Sequence, residues 1–239
     1  MRIDDLKRFY ELLERLEGRT GKRRKVRELE LRQLPARGVY FFFEDGEVRT
    51  QTGSGPRVVR VGTHALVAGS KSTLSQRLSQ HRGTKSGHGN HRGSIFRLLV
   101  GQALLQGVKD QHCPSWGLKG AAKQAALAMN VDPNQMALAE APIEQMVSLA
   151  IGAMEVIVLA IPDEPGPDSL RGFVERNAIA LLSNFSRPAI DAPSLDWLGR
   201  RSNRPMVRAS GLWNQNHADE THSPEFLDVI AALIDGKVS

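Results

Sequence analysis

The run Gly38-Val39-Tyr40-Phe41-Phe42-Phe43 constrains the fold more than any other stretch of the chain. It gathers three of the eight phenylalanines and one of the two tyrosines into four consecutive positions. So dense a group of aromatic and β-branched residues favours a strand. Strand alternation then puts Val39, Phe41 and Phe43 on one face and Tyr40 and Phe42 on the other. Asp45-Gly46 is a strong hairpin signal, so a return strand is expected from Glu47, followed by a loop at TQTGSGP. Residues 58–61 read as a third short strand closed by Gly62, with Val59 and Val61 on one face and Val58 and Arg60 on the other. Residues 155–161 (EVIVLAI) read as a buried strand.

The rest of the pattern is helical. Leu6, Phe9, Leu12, Leu13 and Leu16 form a stripe over residues 3–17. SKSTLSQRLSQHRG predicts a helix through Leu74 and Leu78, capped by Ser70 or Ser72 and ended by Gly83. Further helices are expected over 94–105, 143–154 and 170–185, with a last one beginning near Ser223. Residues 106–135 are irregular apart from a short helix at 121–129. In the 170–185 helix, Val174, Ala178, Leu181 and Phe185 make the buried stripe and Glu175 sits at its border. This order predicts an α+β fold, a small mixed sheet flanked by helices. The N-terminal helix and basic arm take residues 1–34. A core spans 35–186 with a helical insertion at about 84–154, and residues 187–239 extend it.

Composition narrows the function. Cys113 is the only cysteine, which excludes an intrachain disulfide and a cysteine-based zinc site. No segment has the apolar length of a membrane span, and MRIDDLKRFY lacks a signal-peptide core, so the cytoplasm is the default compartment. The net charge is +6, clustered at residues 19–27, 77–97 and 200–208. Clustered basic charge attracts polyanions through counterion release, which points to nucleic acid.

Arg77 and His81, four residues apart, project from one side of their helix. Gly38-Val39-Tyr40, then Arg60-Val61-Gly62, then that Arg-x-x-x-His helix, then Glu175 on a late helix: in this order the chain resembles a GIY-YIG nuclease domain. The resemblance spans residues 35–105 and 155–186 and is most like the family's restriction endonucleases. It implies Mg²⁺- or Mn²⁺-dependent hydrolysis of double-stranded DNA, with Tyr40, Arg60, Arg77, His81, Glu175 and Asn184 as site residues. Glu175 would hold the metal, Arg77 would clamp the phosphate, and Tyr40 would take the proton of the attacking water. A free phenol is a poor base at neutral pH, so positive charge beside it is required, from Arg60 and the metal. His81 would pass the proton on or orient the phenol. Arg60 departs from the family pattern, which has a second tyrosine there; some of its restriction enzymes also resemble this chain in lacking it. Family members often carry an asparagine beyond the glutamate helix; Asn184 is half a turn out of phase with Glu175 and reads equally as a left-handed helix cap.

Each residue alone has a plainer reading. Tyr40 fits a half-buried strand position, Arg77 and His81 an exposed helix face, and Glu175 a surface pair with Arg171. The functional reading rests on their concurrence.

DNA contacts are expected from Arg24 in the basic arm, from Lys85 and Arg92 in the loop around residues 84–92, and from the tail RRSNRPMVRASGLWNQN. That tail supplies Arg201, Arg204, Arg208, Asn214 and Asn216, or else packs as a subdomain anchored by Trp213. His88 and His91 lack a nearby cysteine or carboxylate to complete a metal set. A homodimer is left open. A structure-specific repair nuclease and an inactive nucleic-acid-binding protein are the rival functions.

Overall fold

The computed structural model describes residues 1–107 and 112–237; part of the irregular stretch at 106–135, and the last two residues of the extension, lie outside them. Among the described residues there are four strands: β1 (Arg24–Lys25), β2 (Gly38–Val48), β3 (Pro56–Gly62) and β4 (Glu155–Ala160). The helices are α1 (Arg2–Thr20), α2 (Leu74–Arg82), α3 (Ile95–Gln106), α4 (Ala122–Met129), α5 (Pro133–Ala153), α6 (Leu170–Leu182), α7 (Pro205–Ser210) and α8 (Glu225–Ile234). The fold is α+β. The sheet runs β1-β4-β2-β3, and every neighbouring pair is antiparallel rather than mixed.

The alternation of β2 sorts two cores. Val39, Phe41 and Phe43 pack with apolar residues of α1, α6 and α8, while Tyr40 and Phe42 pack with α2, α3 and α5. Residues outside 35–186, those of α1 and α8, therefore share with α6 the covering of one face of the sheet. Trp213 is completely buried in the second core, beside Trp197, and both indole N–H groups donate to Glu44.

The hairpin turn is not at Asp45-Gly46. β2 continues through it to Val48, which pairs with Pro56, and the chain reverses over residues 49–55. Gly46, at φ +80°, serves an irregularity within the strand, because a left-handed glycine suits a bulge as well as a turn. Asp191 holds the reversal, its Oδ1 accepting from the amides of Thr50, Gln51 and Thr52 at 2.7, 2.8 and 3.2 Å. One expected strand therefore disappears.

A second bulge matters more. Phe42 pairs with Arg60 and Phe43 with Val58, leaving Val59 as the extra residue. The bulge breaks the alternation predicted for this strand. Val58 and Val61 face the first core, whereas Val59 packs in the second and Arg60 lies over the Phe96 ring of that same core at 4.6 Å. Arg60 is thereby delivered to the Tyr40 face.

The α2 cap is Thr73 rather than Ser70 or Ser72; its hydroxyl accepts from Gln76 N, and the Gln76 side chain accepts from Thr73 N. α5 begins ten residues before the expected 143 because it runs straight through Pro142. Pro142 and Leu138 are both exposed, so the carbonyl that loses its amide partner at this proline faces water.

Candidate active site

The two motif glycines have steric reasons. A Cβ on Gly38 would run into the Leu159 carbonyl of the neighbouring strand. Gly62 pairs directly with Tyr40 across the ladder, and a Cβ there would overlap the phenol ring and its hydroxyl. Gly62→Ala should destabilise the protein by about 2 kcal/mol, as overpacking of a filled core does. A urea midpoint lowered at constant slope would register it; an unchanged midpoint would show that the ring has room to move.

Tyr40 and His81 are both wholly covered. The phenol oxygen lies 2.9 Å from His81 Nε2, and His81 Nδ1 lies 2.7 Å from Ser94 Oγ, the N-cap of α3. Burial, then the charges of Arg60, Arg77 and Arg97, push the His81 imidazole well below its usual range, so it is neutral at physiological pH. Arg60 sits beside this pair and donates from Nη1 to the Trp213 carbonyl at 2.6 Å.

Above them opens a cleft of about 480 Å³, whose wall includes Arg60, Arg77 and Glu175. Glu175 stands on the first turns of α6, a helix capped by Ser169. Its Oε1 accepts from Thr63 N at 3.1 Å, and Thr63 Oγ1 donates to the Gly38 carbonyl, tying the helix to the ends of both motif strands. Burial raises the Glu175 carboxyl, opposed by Arg60, the Thr63 amide, His217 and Arg77. Arg77 is half-buried and reaches Gln80 Oε1 and the Gly93 carbonyl. Arg171 does not pair with Glu175; it is fully buried and bound to Asp163.

The Tyr40 ring is not among the residues that line the cleft: Gly62 packs against it on one side, and its oxygen is hydrogen-bonded to His81. Asn184 is also elsewhere. Its Oδ1 accepts from Arg2 Nη2 and Ile190 N, both at 2.9 Å, so it organises the turn after α6, and its φ is not left-handed.

The expected DNA contacts divide. Lys85, Arg201, Arg204, Arg208 and Asn216 are exposed, and Asn216 lines the cleft. Arg24 is exposed on β1, at the sheet edge opposite β3. Arg92 is committed inward by paired hydrogen bonds to Glu140 at 2.7 and 2.8 Å. His91 is likewise buried, stacked on Trp116 and bonded to Glu144, so the end of this loop at residues 91–92 anchors the insertion. Asn214 is buried and brackets Val61, accepting from its amide at 3.1 Å and donating to its carbonyl at 2.9 Å; it extends the ladder at the edge of β3. No group of three or more metal-ligating side chains occurs among the described residues, and none of their helices is long and apolar enough to cross a membrane.

Sequence reading missed His64 and His217, which also line the cleft. The available signal was position: His64 follows the second motif by two residues, where β3 opens into the cleft. Burial, followed by the charge of Arg171, lowers His64 to about 4. Its folded value lies below the unfolded one of 6.5, so its contribution to stability is complete above pH 6.5 and is lost as pH falls through about 4. The ceiling of that loss is about 3 kcal/mol. His64→Gln should flatten the decline in unfolding free energy between those pH values; an unaltered slope would assign the decline to other groups.

Two guanidinium groups and one carboxylate thus meet in one cleft at the mouth of a strand-strand-helix unit. The profile of the GIY-YIG domain family matches residues 1–239, and the chain belongs to that family. No curated protein and no solved structure matches it. Membership implies a nuclease-like function on nucleic acid, in a family that is typically metal-dependent.

Proposed function

We propose that the chain is a metal-dependent DNA endonuclease, site-specific in the manner of restriction enzymes. The observation that carries this reading is the convergence of Arg60, Arg77 and Glu175 on one cleft. Phosphodiester hydrolysis builds negative charge on the non-bridging and leaving oxygens, and fixed guanidinium groups oppose it without reorganising. Arg77, at the mouth, presents a planar fork to the phosphate. Arg60 is pinned by Trp213 and Phe96 and adds a fixed cation beneath.

The residues fit a Mg²⁺ or Mn²⁺ ion. Magnesium is commonly held by one or two carboxylates, with water and phosphate oxygens completing the shell. Glu175 offers one carboxylate whose Oε1 alone is engaged by the protein, so Oε2 remains for a cation. When bound, the ion would polarise the phosphoryl group and offset the developing charge. Tyr40 and His81 act as positioning residues, holding the floor on which Arg60 rests. Lys85, Arg201, Arg204, Arg208 and Asn216 are the exposed groups available to the duplex, and the first four would make binding salt-dependent.

Sequencing the ends produced from plasmid DNA tests the reading. A single recurring end sequence is expected. Ends set by junctions or flaps would identify a structure-specific nuclease instead. DNA binding without any cut would identify an inactive binding protein.

A further inference from the structure

We propose that His217 is a second protein ligand, beside Glu175, for the divalent cation of the cleft, so that the site holds Mn²⁺ more tightly than Mg²⁺. This rests on the nuclease reading above and extends its metal site by a residue outside the motifs.

Three observations converge on this histidine. It lines the cleft with Glu175. Its Nδ1 lies 2.7 Å from Glu220 Oε1. Burial raises the Glu220 carboxyl, but hydrogen bonds from His217 and Arg176 overcome it and hold it below the usual range. Glu220 therefore accepts as a carboxylate, Nδ1 carries the proton, and the Nε2 lone pair is free. Metal-binding histidines almost always show this arrangement, in which a carboxylate behind the ring fixes its orientation and tautomer. Finally, Glu175 Oε2 and His217 Nε2 have no protein partner, and neither atom is enclosed, so both are open to an ion entering the cleft.

The fold sets the two side chains side by side. Arg176, next to Glu175 on α6, donates from Nε to Glu220 Oε2, the oxygen that His217 leaves free. Farther along the helix, Ser183 Oγ donates to the Ala218 carbonyl at 2.5 Å. Residues 217–220 are thereby laid along α6. At the other end of the segment Trp213 N donates to the Val59 carbonyl at 2.8 Å, so the chain into His217 is pinned between β3 and α6. His217 itself is held at φ +64°, a left-handed conformation that a non-glycine residue keeps only where its surround enforces it. Burial raises the Glu175 carboxyl, and His217 is among the charges that oppose it, which puts the ring within electrostatic reach. Glu175 and Glu220 bring two negative charges against three positive ones on Arg60, Arg77 and Arg176. The free cleft therefore attracts a cation weakly, and phosphodiester oxygens and water complete the shell once DNA is bound. Magnesium takes an all-oxygen shell, whereas an imidazole nitrogen favours a first-row transition ion such as Mn²⁺.

Pulsed electron paramagnetic resonance of Mn²⁺ tests this, using the full chain labelled with ¹⁵N at histidine and frozen with duplex DNA. A directly coordinated ¹⁵N should modulate the Mn²⁺ echo, distinct from the ¹⁴N of the bases, and His217→Gln should remove it. His217→Asp exchanges the nitrogen ligand for oxygen, so it should lose the ¹⁵N coupling, still bind the ion and shift the preference toward Mg²⁺. A merely structural histidine would give no such shift. Glu220→Ala leaves the ring unheld and should weaken Mn²⁺ binding by about 10–100-fold, the usual effect of losing such an outer partner. A wild-type echo without ¹⁵N coupling, or coupling that survives in His217→Gln, would overturn the proposal and leave the nuclease reading intact wherever the wild type cuts DNA. Coupling that vanishes in His217→Gln, from a chain that cuts no DNA, would instead overturn the nuclease reading and leave the cation site standing.

Discussion

Glu175→Gln should abolish Mg²⁺-dependent cleavage while leaving DNA binding intact or slightly tighter. The substitution keeps the shape of the side chain and an oxygen for the Thr63 amide, so the link from α6 to the end of β3 survives. What it removes is the negative charge that a divalent ion needs. Metal stabilisation of a phosphoryl transition state is worth several kcal/mol. With each 1.36 kcal/mol a factor of ten, the loss should be about 10³-fold or more. Affinity should not fall, because a carboxylate facing the cleft repels the DNA backbone and its removal leaves Arg60 and Arg77 less opposed. Full activity in the folded variant would remove Glu175 from the site.

Glu144→Ala should be the most destabilising single change in the insertion. Arg97 is completely buried, and its Nε and Nη2 reach Glu144 Oε2 at 2.9 and 2.5 Å. The same carboxylate accepts from the backbone amide of His91 at 2.7 Å. Truncation leaves a guanidinium without its counter-charge in a dry core, which typically costs about 3–5 kcal/mol. The site would feel it, because Arg97 Nη1 also donates to the carbonyl of His81 at 2.9 Å. Burial pushes the Glu144 carboxyl up, but the His91 hydrogen bond and the Arg97 charge overcome it and hold it below the usual range. A depressed carboxylate contributes stability above its unfolded value, near 4.3, and loses it as pH falls through the folded one. Equilibrium urea unfolding at neutral pH checks the prediction; a variant as stable as wild type would mean that Arg97 finds another partner. The difference between wild type and Glu144→Ala should also shrink in acid.

The sequence made the order of elements and the two faces of β2 legible because both follow from local periodicity. Where it failed, the deciding partner lay far away in the chain. Asp45-Gly46 carries a local turn signal, but the chain reverses over residues 49–55, where Asp191, 141 residues beyond Thr50, holds the turn. Arg92 and His91 read as a polar loop because their carboxylates, Glu140 and Glu144, are more than forty residues distant. The same holds for the site. Arg60, Arg77 and Glu175 were recoverable from motif order, and they do meet at the cleft. The burial of Tyr40 was not recoverable, because it depends on Gly62 packing against the ring and on a bulge at Val59 that turns Arg60 toward the same face. His64 carries no signal in a strand pattern; only the structure puts it among the residues that line the cleft.

The central claim, that this cleft hydrolyses DNA with a metal held at Glu175, is tested most directly by nicking of supercoiled plasmid. Purified wild-type chain and Glu175→Gln are compared in Mg²⁺ and in EDTA, with binding of the same DNA measured in parallel. The account predicts open-circular and linear product from the wild type in Mg²⁺ alone, and none from Glu175→Gln although it still binds. Wild-type cleavage that persists in EDTA, or equal cleavage by the two proteins, would contradict it.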